Sequence, residues 1–336
     1  MKREGTTPAA APHLAHADDQ LRLMAKIARM YHERGMRQAQ IAEELRVSQA
    51  RVSRLLKRAG EVGIVRTIVA LPGGVHTDLE EALERRFGLD EAVVVDAAGS
   101  DETMTPALGA AAAVYLENTL GGSEVVGISS WSATLLAAVE AMRPARVRLV
   151  QTVVQLVGGI GDPRVQVQAN RLMAAFAQDT GADPVFLSAP GLLGSAAARD
   201  SLVRDPTLES VMQLWPRLSM VLVGIGSLEP SPLLRESGNA LPEAEQELLR
   251  RAGAVGDICH RFFDAEGKHV TSDVDDRIIG ISADQLRSVP RRIAVAGGAR
   301  KHAALQAAVA GGWVNVLITD VATAEHLLAA SEDGKS

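Results

Sequence analysis

Near the N-terminus, apolar positions recur at helical spacing in three short runs. Leu23, Ile27, Met30 and Tyr31 mark one face of a helix over 21–34 that stops at Gly35. Ile41, Ala42 and Leu45 line one side of the next helix, and Val52, Leu55 and Leu56 one side of a third. A tight turn at Leu45-Arg46-Val47 separates the last two, with Ser48 as the N-cap of the third. Residues 64–69 then alternate like a strand, suited to a small wing, and Pro72-Gly73-Gly74 marks a domain boundary.

Beyond that boundary the period changes. A charged amphipathic helix over 77–87 leads into a strand over 92–95. Further strands are predicted at 125–128, 147–156, 184–187, 220–225, 292–296 and 315–319. Helices fall between them at 104–118, 133–142, 166–180, 196–204, 243–251 and 301–310. Apolar strands alternating with helices predict an α/β domain, a parallel sheet covered on both faces. Residues 255–270 break the rhythm, because Phe262, Phe263 and the turn Asp264-Ala265-Glu266-Gly267 read as an antiparallel hairpin.

With the apolar sides of the second and third helices turned inward, Gln49, Ala50, Arg51, Ser53, Arg54 and Lys57 point outward. This is the arrangement of a helix-turn-helix whose second helix enters the DNA major groove, and Gln38 and Ser48 complete the candidate DNA-contacting set. An ordinary helical hairpin with a basic solvated face is the alternative. Arg46 departs from the pattern, since Gly commonly supplies the left-handed backbone of such a turn. Charge favours DNA: residues 20–66 carry eleven Lys or Arg against four acids, whereas the whole chain carries −6. A basic segment on an acidic protein is the footprint of a DNA-binding head.

Composition sets the remaining bounds. With 336 residues the chain has room for two or three domains, and 47% hydrophobic with 23% charged residues describes a globular protein. Aromatics are only 3%, so the core must be aliphatic. The single Cys259 excludes an internal disulfide framework and suits a reducing cytoplasm, the expected location. No apolar run reaches membrane-span length, and the start does not resemble a secretion signal. Residues 1–19, rich in Ala, Pro, Thr and His, read as a disordered tail, and His13 and His16 lack further ligands for a metal.

In open α/β sheets, ligands gather beyond the carboxyl ends of the strands. The predicted strand ends here carry small or hydroxylated loops. Gly127, Ser129, Ser130, Trp131, Ser132 and Thr134 lead from a strand into a helix and offer hydroxyls and amides suited to a phosphate. Gly158 and Gly159 end the next strand, Gly224 and Gly226 a later one, and Gly297 and Gly298 precede Lys301 at a helix start. Lys is scarce beyond the head, recurring only at Lys268 and Lys335. There is neither a P-loop nor a dinucleotide fingerprint, so a small phosphorylated metabolite fits better than a nucleotide, and no cofactor or metal is expected.

On these residues the chain resembles the SorC family of sugar-responsive bacterial transcription regulators, from about 20 to 328. The head QAQIAEELRVSQARVSRLLKRA is similar to the family's DNA-binding segment. The segments GISSWSATL, VVQLVGGIG, LSAPGLL, LVGIGS, GAVGDICHRFFDAEG, RIIGIS, IAVAGGARKHAAL and GGWVNVLITD follow in family order. Arg46 and the Trp131 of SSWSAT depart from it. The resemblance implies a winged helix-turn-helix over 20–72 and, over 73–336, a Rossmann-like effector and oligomerisation domain similar to sugar-phosphate isomerases and deaminases. It implies operator DNA, a phosphorylated sugar and further copies of the chain, as dimer or tetramer, as partners. Carried onto this chain, Ser130, Ser132, Thr134, Gly298 and Lys301 would hold the phosphate, and Asp257 and Asn170 the sugar hydroxyls. Arg171 is a further candidate phosphate contact.

The leading expectation is therefore a regulator whose operator affinity a sugar phosphate controls. The competing one is an isomerase- or deaminase-like enzyme carrying a DNA-binding head; a purely structural adaptor is a third. Against catalysis, Asp257, Cys259 and His260 would alternate faces if they shared one strand, so no acid–His dyad is expected.

Overall fold

The computed structural model describes residues 12–65, 74–97, 99–122, 124–160 and 163–329, the side chains at 12–19, 101–102 and 163–169 excepted. The chain divides into two compact units, Met1–Ala70 and Leu71–Ser336.

In the first unit three helices share one aliphatic core: α1 (Pro12–His32), α2 (Gln38–Glu44) and α3 (Gln49–Glu61). Ile27, Ile41, Val52 and Ala59 are fully buried there, with Met24, Met30 and Leu55 around them. Tyr31, expected on the buried face of α1, is exposed instead; the helix turns Met24 and Ala28 inward. The expected tail over 1–19 is corrected in its last part, since α1 begins at Pro12. Proline is tolerated in a first turn, and no breaker follows it before Gly35. Residues 1–11 and most of the expected wing, 66–69, lie outside the described residues.

The turn between α2 and α3 is closed by two backbone bonds. Val47 N–H reaches Ala42 C=O at 2.9 Å and Arg46 N–H reaches Glu43 C=O at 3.2 Å, the Schellman pattern. That pattern needs a left-handed residue after the cap, and Arg46 supplies it at φ 50°. Ser48 Oγ then accepts the N–H of Arg51 at 3.2 Å and starts α3.

The second unit runs α4 (Thr77–Phe87), β1 (Glu91–Val95), α5 (Asp101–Thr119), β2 (Val125–Ile128), α6 (Ala133–Ala141), β3 (Thr152–Gln155), α7 (Pro163–Thr180) and β4 (Asp183–Val185). After α8 (Ala196–Leu202) and α9 (Pro206–Met212) come β5 (Met220–Val223), β6 (Gly226–Ser227), α10 (Pro232–Glu236) and α11 (Glu243–Arg251). The chain closes through β7 (Ala254–Ile258), β8 (Arg261–Asp264), α12 (Ala283–Ser288), β9 (Arg291–Val295), α13 (His302–Ala310), β10 (Val316–Asp320) and α14 (Val321–Ala329).

Seven strands form one parallel sheet in the order β1-β10-β9-β5-β2-β3-β4. One aliphatic layer buries Val126, Ile128, Met220 and Ile293 against α5, α6 and α7, and the opposite layer buries Val221, Val223, Ala294 and Leu317 beneath α13 and α14. The chain moves from β2 outward to β3 and β4, then returns to the other side of β2 as β5. That reversal opens a crevice between β2 and β5 at their carboxyl ends. The small sheet β6-β7-β8 is antiparallel, as the break in alternation predicts. The expected hairpin at 264–267 forms, Phe263 bridging His269 antiparallel and Val270 N–H reaching the Phe262 carbonyl at 2.9 Å; a second reversal precedes it. That unexpected reversal falls at Cys259-His260, between Ile258 and Arg261.

Candidate functional site

Beyond the ends of β2, β5 and β9 lies a cavity of ≈ 530 Å³, within the range of small-molecule sites. Three loops build it: the one from β2 into α6, the one from β5 into β6, and the one from β9 into α13.

The first loop contributes Ser129, Ser130, Trp131, Ser132 and Thr134. Ser132 is the N-cap of α6, its Oγ accepting the N–H of Leu135 at 3.2 Å. Ser129 Oγ accepts the N–H of Gly224 at 3.3 Å and so ties this loop to the second. Trp131 holds φ 62°, a left-handed conformation that a bulky side chain adopts only under constraint. Its ring is 7% exposed, and its indole N–H has no hydrogen-bond partner among the described residues.

From the second loop and the small sheet come Gly224, Gly226, Asp257, Cys259 and His260. The β7–β8 turn has both central residues left-handed, Cys259 at φ 53° and His260 at φ 59°, without the glycine such turns favour. Asp257 Oδ2 accepts the N–H of His260 at 2.9 Å and braces that turn. The other carboxylate oxygen faces Gly226, where a Cβ would come within 2.1 Å of it. The sequence expectation for this strand is corrected here. The strand ends at Ile258, so Asp257, Cys259 and His260 do not alternate faces; all three line the cavity. Burial pushes the Asp257 carboxyl upward, against the opposing pull of His260 and of the Lys301 ammonium. Burial likewise pushes the His260 imidazole down, with Asp257 opposing, and raises the Cys259 thiol. The wall is thus biased toward uncharged groups that donate and accept hydrogen bonds.

The third loop brings Gly297, Arg300 and Lys301 to the cavity. Gly298, at φ 92°, turns the backbone inward, and its N–H is taken by Asp320 Oδ2 at 3.0 Å and Thr323 Oγ at 2.9 Å. That amide is committed to the protein, so Gly298 shapes the loop without lining the cavity. On the far side of Thr323, His302 and His326 stack with ring centroids 4.0 Å apart.

Several other expected residues also stay outside the lining. Gly127 sits mid-strand, where a Cβ would meet Leu156 and Val221 at 2.4 and 3.1 Å, so it serves sheet packing. Gly158 lets the chain pass the Ala189 and Pro190 carbonyls, 2.6 and 2.4 Å from a Cβ there. Gly159 packs over the side-chain amide of Gln155. Asn170 is exposed on α7, and Arg171 pairs with Glu140 on α6 at 2.9 Å. Helix periodicity turns these two toward solvent and α6.

Other groups reach the cavity that strand-end reasoning passed over. Met104, Pro106 and Leu108 of α5 add apolar surface to the lining, and so do Pro230, Pro232 and Leu233. The Pro-Ser-Pro spacing at 230–232 was the available signal, since it places a short helix directly after a strand end.

In the first unit, Ser48, Gln49, Ala50, Arg51, Ser53, Arg54 and Lys57 are exposed on α3 or at its cap, and Gln38 is half-buried at the start of α2.

A crevice at the reversal of a parallel sheet, walled by hydroxyls and one lysine, defines a small-molecule effector domain of the sugar-binding class. The family description "sugar-binding domain" matches residues 74–329. The chain is 36% identical to the deoxyribonucleoside regulator of Bacillus subtilis, over 91% of this chain and 97% of that protein. It is 32% identical to the sorbitol operon regulator of Klebsiella pneumoniae, over 92% and 98%. The crystal structure of full-length SorC from that organism superposes with a TM-score of 0.69 at 30% identity, covering 93% of this chain and 99% of that one. The sugar-binding domain of the regulator DeoR from Pseudomonas syringae does so with 0.61 at 34% identity, over 76% and 99%. The chain belongs to the SorC family of transcriptional regulators.

Proposed function

We propose that this regulator binds operator DNA through a winged helix-turn-helix head over 20–72 and senses a phosphorylated sugar in the cavity of its effector domain. One observation carries the reading: Ser130, Ser132 and Lys301, from separate strand ends, meet in one cavity with the carboxyl of Asp257. The hydroxyls and the ammonium suit a phosphate, and Asp257 suits the hydroxyls of a sugar. In the head, Gln49, Arg51 and Arg54 stand exposed on α3, whose opposite face is buried, as a recognition helix requires.

The mechanism is linkage: the ligand favours one arrangement of a symmetric homo-oligomer, and that arrangement differs in DNA affinity. Two heads on one oligomer read two half-sites and so reach the specificity that a single helix lacks. The test is a gel shift on the chain's own promoter region across a panel of sugar phosphates, with light scattering for the oligomer. Affinity that changes saturably with one sugar phosphate supports the reading; affinity indifferent to all of them overturns it.

A second reading, turnover of the sugar phosphate, has one observation in its favour, the shared cavity wall of Asp257, Cys259 and His260. Against it, Asp257 bonds the backbone of His260, holding a turn rather than orienting an imidazole. Product formation during incubation with the bound sugar phosphate decides for the enzyme; binding without product decides for the sensor.

A further inference from the structure

Gln155, the last residue of β3, is 4% exposed and does not line the cavity. Its side-chain amide is nevertheless fully engaged behind it. Nε2 donates to Ser130 Oγ at 2.9 Å and to the Val157 carbonyl at 3.0 Å, and Oε1 accepts the Leu187 N–H at 3.0 Å. The orientation of this amide is forced. Flipped, it would set its oxygen against the Val157 carbonyl and its NH2 against the Leu187 N–H. The indole of Trp215, bonded to the Gln155 backbone carbonyl at 3.2 Å, holds the residue from the other side.

A hydroxyl that accepts from a fixed donor has to send its own proton elsewhere. Among the described residues, the Ser130 proton finds the Val157 carbonyl at a long 3.4 Å, an oxygen it shares with the Gln155 amide. The same polarity recurs along the loop: Ser129 Oγ accepts from Gly224 and Ser132 Oγ from Leu135. Three hydroxyls at the cavity wall therefore each accept one protein donor, which leaves one lone pair on each oxygen. The fixed donor at each oxygen limits where its proton can point, and a proton turned to the cavity suits a group made only of acceptors.

We propose that Gln155 is a positioning residue of the effector site, fixing Ser130 as a donor so that this corner of the cavity takes the phosphoryl group of the effector. The proposal rests on the sugar-phosphate reading above. It adds that selectivity for the anion is set by a residue the ligand never touches.

The test is a double-mutant cycle in the full-length chain, with inorganic phosphate as probe and affinity read by calorimetry or phosphorus NMR. Ser130→Ala is expected to weaken phosphate binding roughly tenfold by removing one charge-assisted bond. Gln155→Glu offers Ser130 an acceptor, draws its proton away from the cavity, and is expected to weaken binding by about tenfold or more. Charge repulsion from Glu acts in any background. The diagnostic is therefore coupling: in Ser130→Ala, the further loss from Gln155→Glu should shrink to under about threefold. Equal losses in both backgrounds overturn the proposal, as does undiminished affinity in Ser130→Ala. If Gln155→Glu gives no cooperative melt, the uncharged Gln155→Met carries the same cycle. Its smaller loss must vanish in Ser130→Ala, and persistence there overturns the proposal. A wild-type chain that binds neither phosphate nor any sugar phosphate sinks the underlying reading itself, an outcome distinct from additive losses.

Discussion

The carboxylate of Asp320, at the end of β10, accepts the backbone N–H of Gly298 at 3.0 Å from inside the sheet. The same group accepts the N–H of Thr323 at 2.9 Å and its hydroxyl at 2.6 Å, and Asp320 is fully buried. It therefore joins the loop that presents Lys301 to the start of α14. Asp320→Ala leaves these donors unmatched in the interior, a loss of at least about 2 kcal/mol. Urea denaturation should show a lower midpoint with an unchanged slope; an unmoved midpoint would mean that the loop is held by other contacts.

Asp257 gives a pH dependence whose sign follows from burial. Its carboxyl is held above the usual carboxylate range, so the folded chain keeps a proton that the unfolded chain gives up first. Stability from this site is thus greatest below the unfolded value and falls as pH rises toward the folded one. Asp257→Asn keeps an oxygen for the His260 N–H and removes the titration. In calorimetric scans without ligand, the variant should gain on the wild type as pH rises above the usual carboxylate range. A constant difference over that rise would show that Asp257 ionises normally.

The sheet was readable because its strands are near-continuous apolar runs, buried on both faces, and its loops because parallel sheets collect small residues at carboxyl ends. Two features escaped for physical reasons. The Cys259-His260 turn carries no Gly, Asn or Asp, so nothing local announces a left-handed pair; it is enforced by the β7–β8 pairing and by Asp257. Gln155 reads as one polar residue in an apolar strand, and its role emerges only when β4 and the β2 loop arrive beside it. The glycines split for a similar reason. Gly224 and Gly297 line the cavity while Gly127 and Gly158 do not, yet Gly297 is as crowded as they are, a Cβ there meeting Asp320 at 2.2 Å, so composition alone does not separate the two.

Arg46 carries a strain that can be relieved. At φ 50° its Cβ crowds the backbone, at a cost of about 1 kcal/mol that glycine avoids. Arg46→Gly should stabilise the first unit by roughly 0.5–1 kcal/mol, part of the gain being offset by the greater freedom of an unfolded glycine. Thermal unfolding followed at that unit's helices is the measurement. A lowered Tm would mean that the Arg46 side chain makes a contact worth more than its strain.

Arg51 stands exposed on α3, one residue before the buried Val52. If it reads a base edge, Arg51→Ala should reduce operator affinity by about 1–3 kcal/mol while the circular dichroism spectrum is unchanged. A loss shared equally by unrelated DNA would assign it to the phosphate backbone, and no loss would remove it from the interface.

Lys301 sits where a lysine is electrostatically out of place. It is the residue before α13, at the positive end of that helix dipole, with Arg300 beside it. The buried Asp257 carboxyl feels its charge, which places the ammonium at the cavity's polar wall. A phosphate in the cavity would satisfy the helix end, the ammonium and the hydroxyls of Ser130 and Ser132 together. Lys301→Ala should then weaken the sugar phosphate by on the order of 1.5–3 kcal/mol, roughly ten- to a hundredfold. Without ligand the variant should bind operator as the wild type does, because the head is a separate compact unit. Calorimetric titration with the sugar phosphate that shifts the wild type decides the matter. Equal affinity in the variant would assign the phosphate to another corner of the cavity.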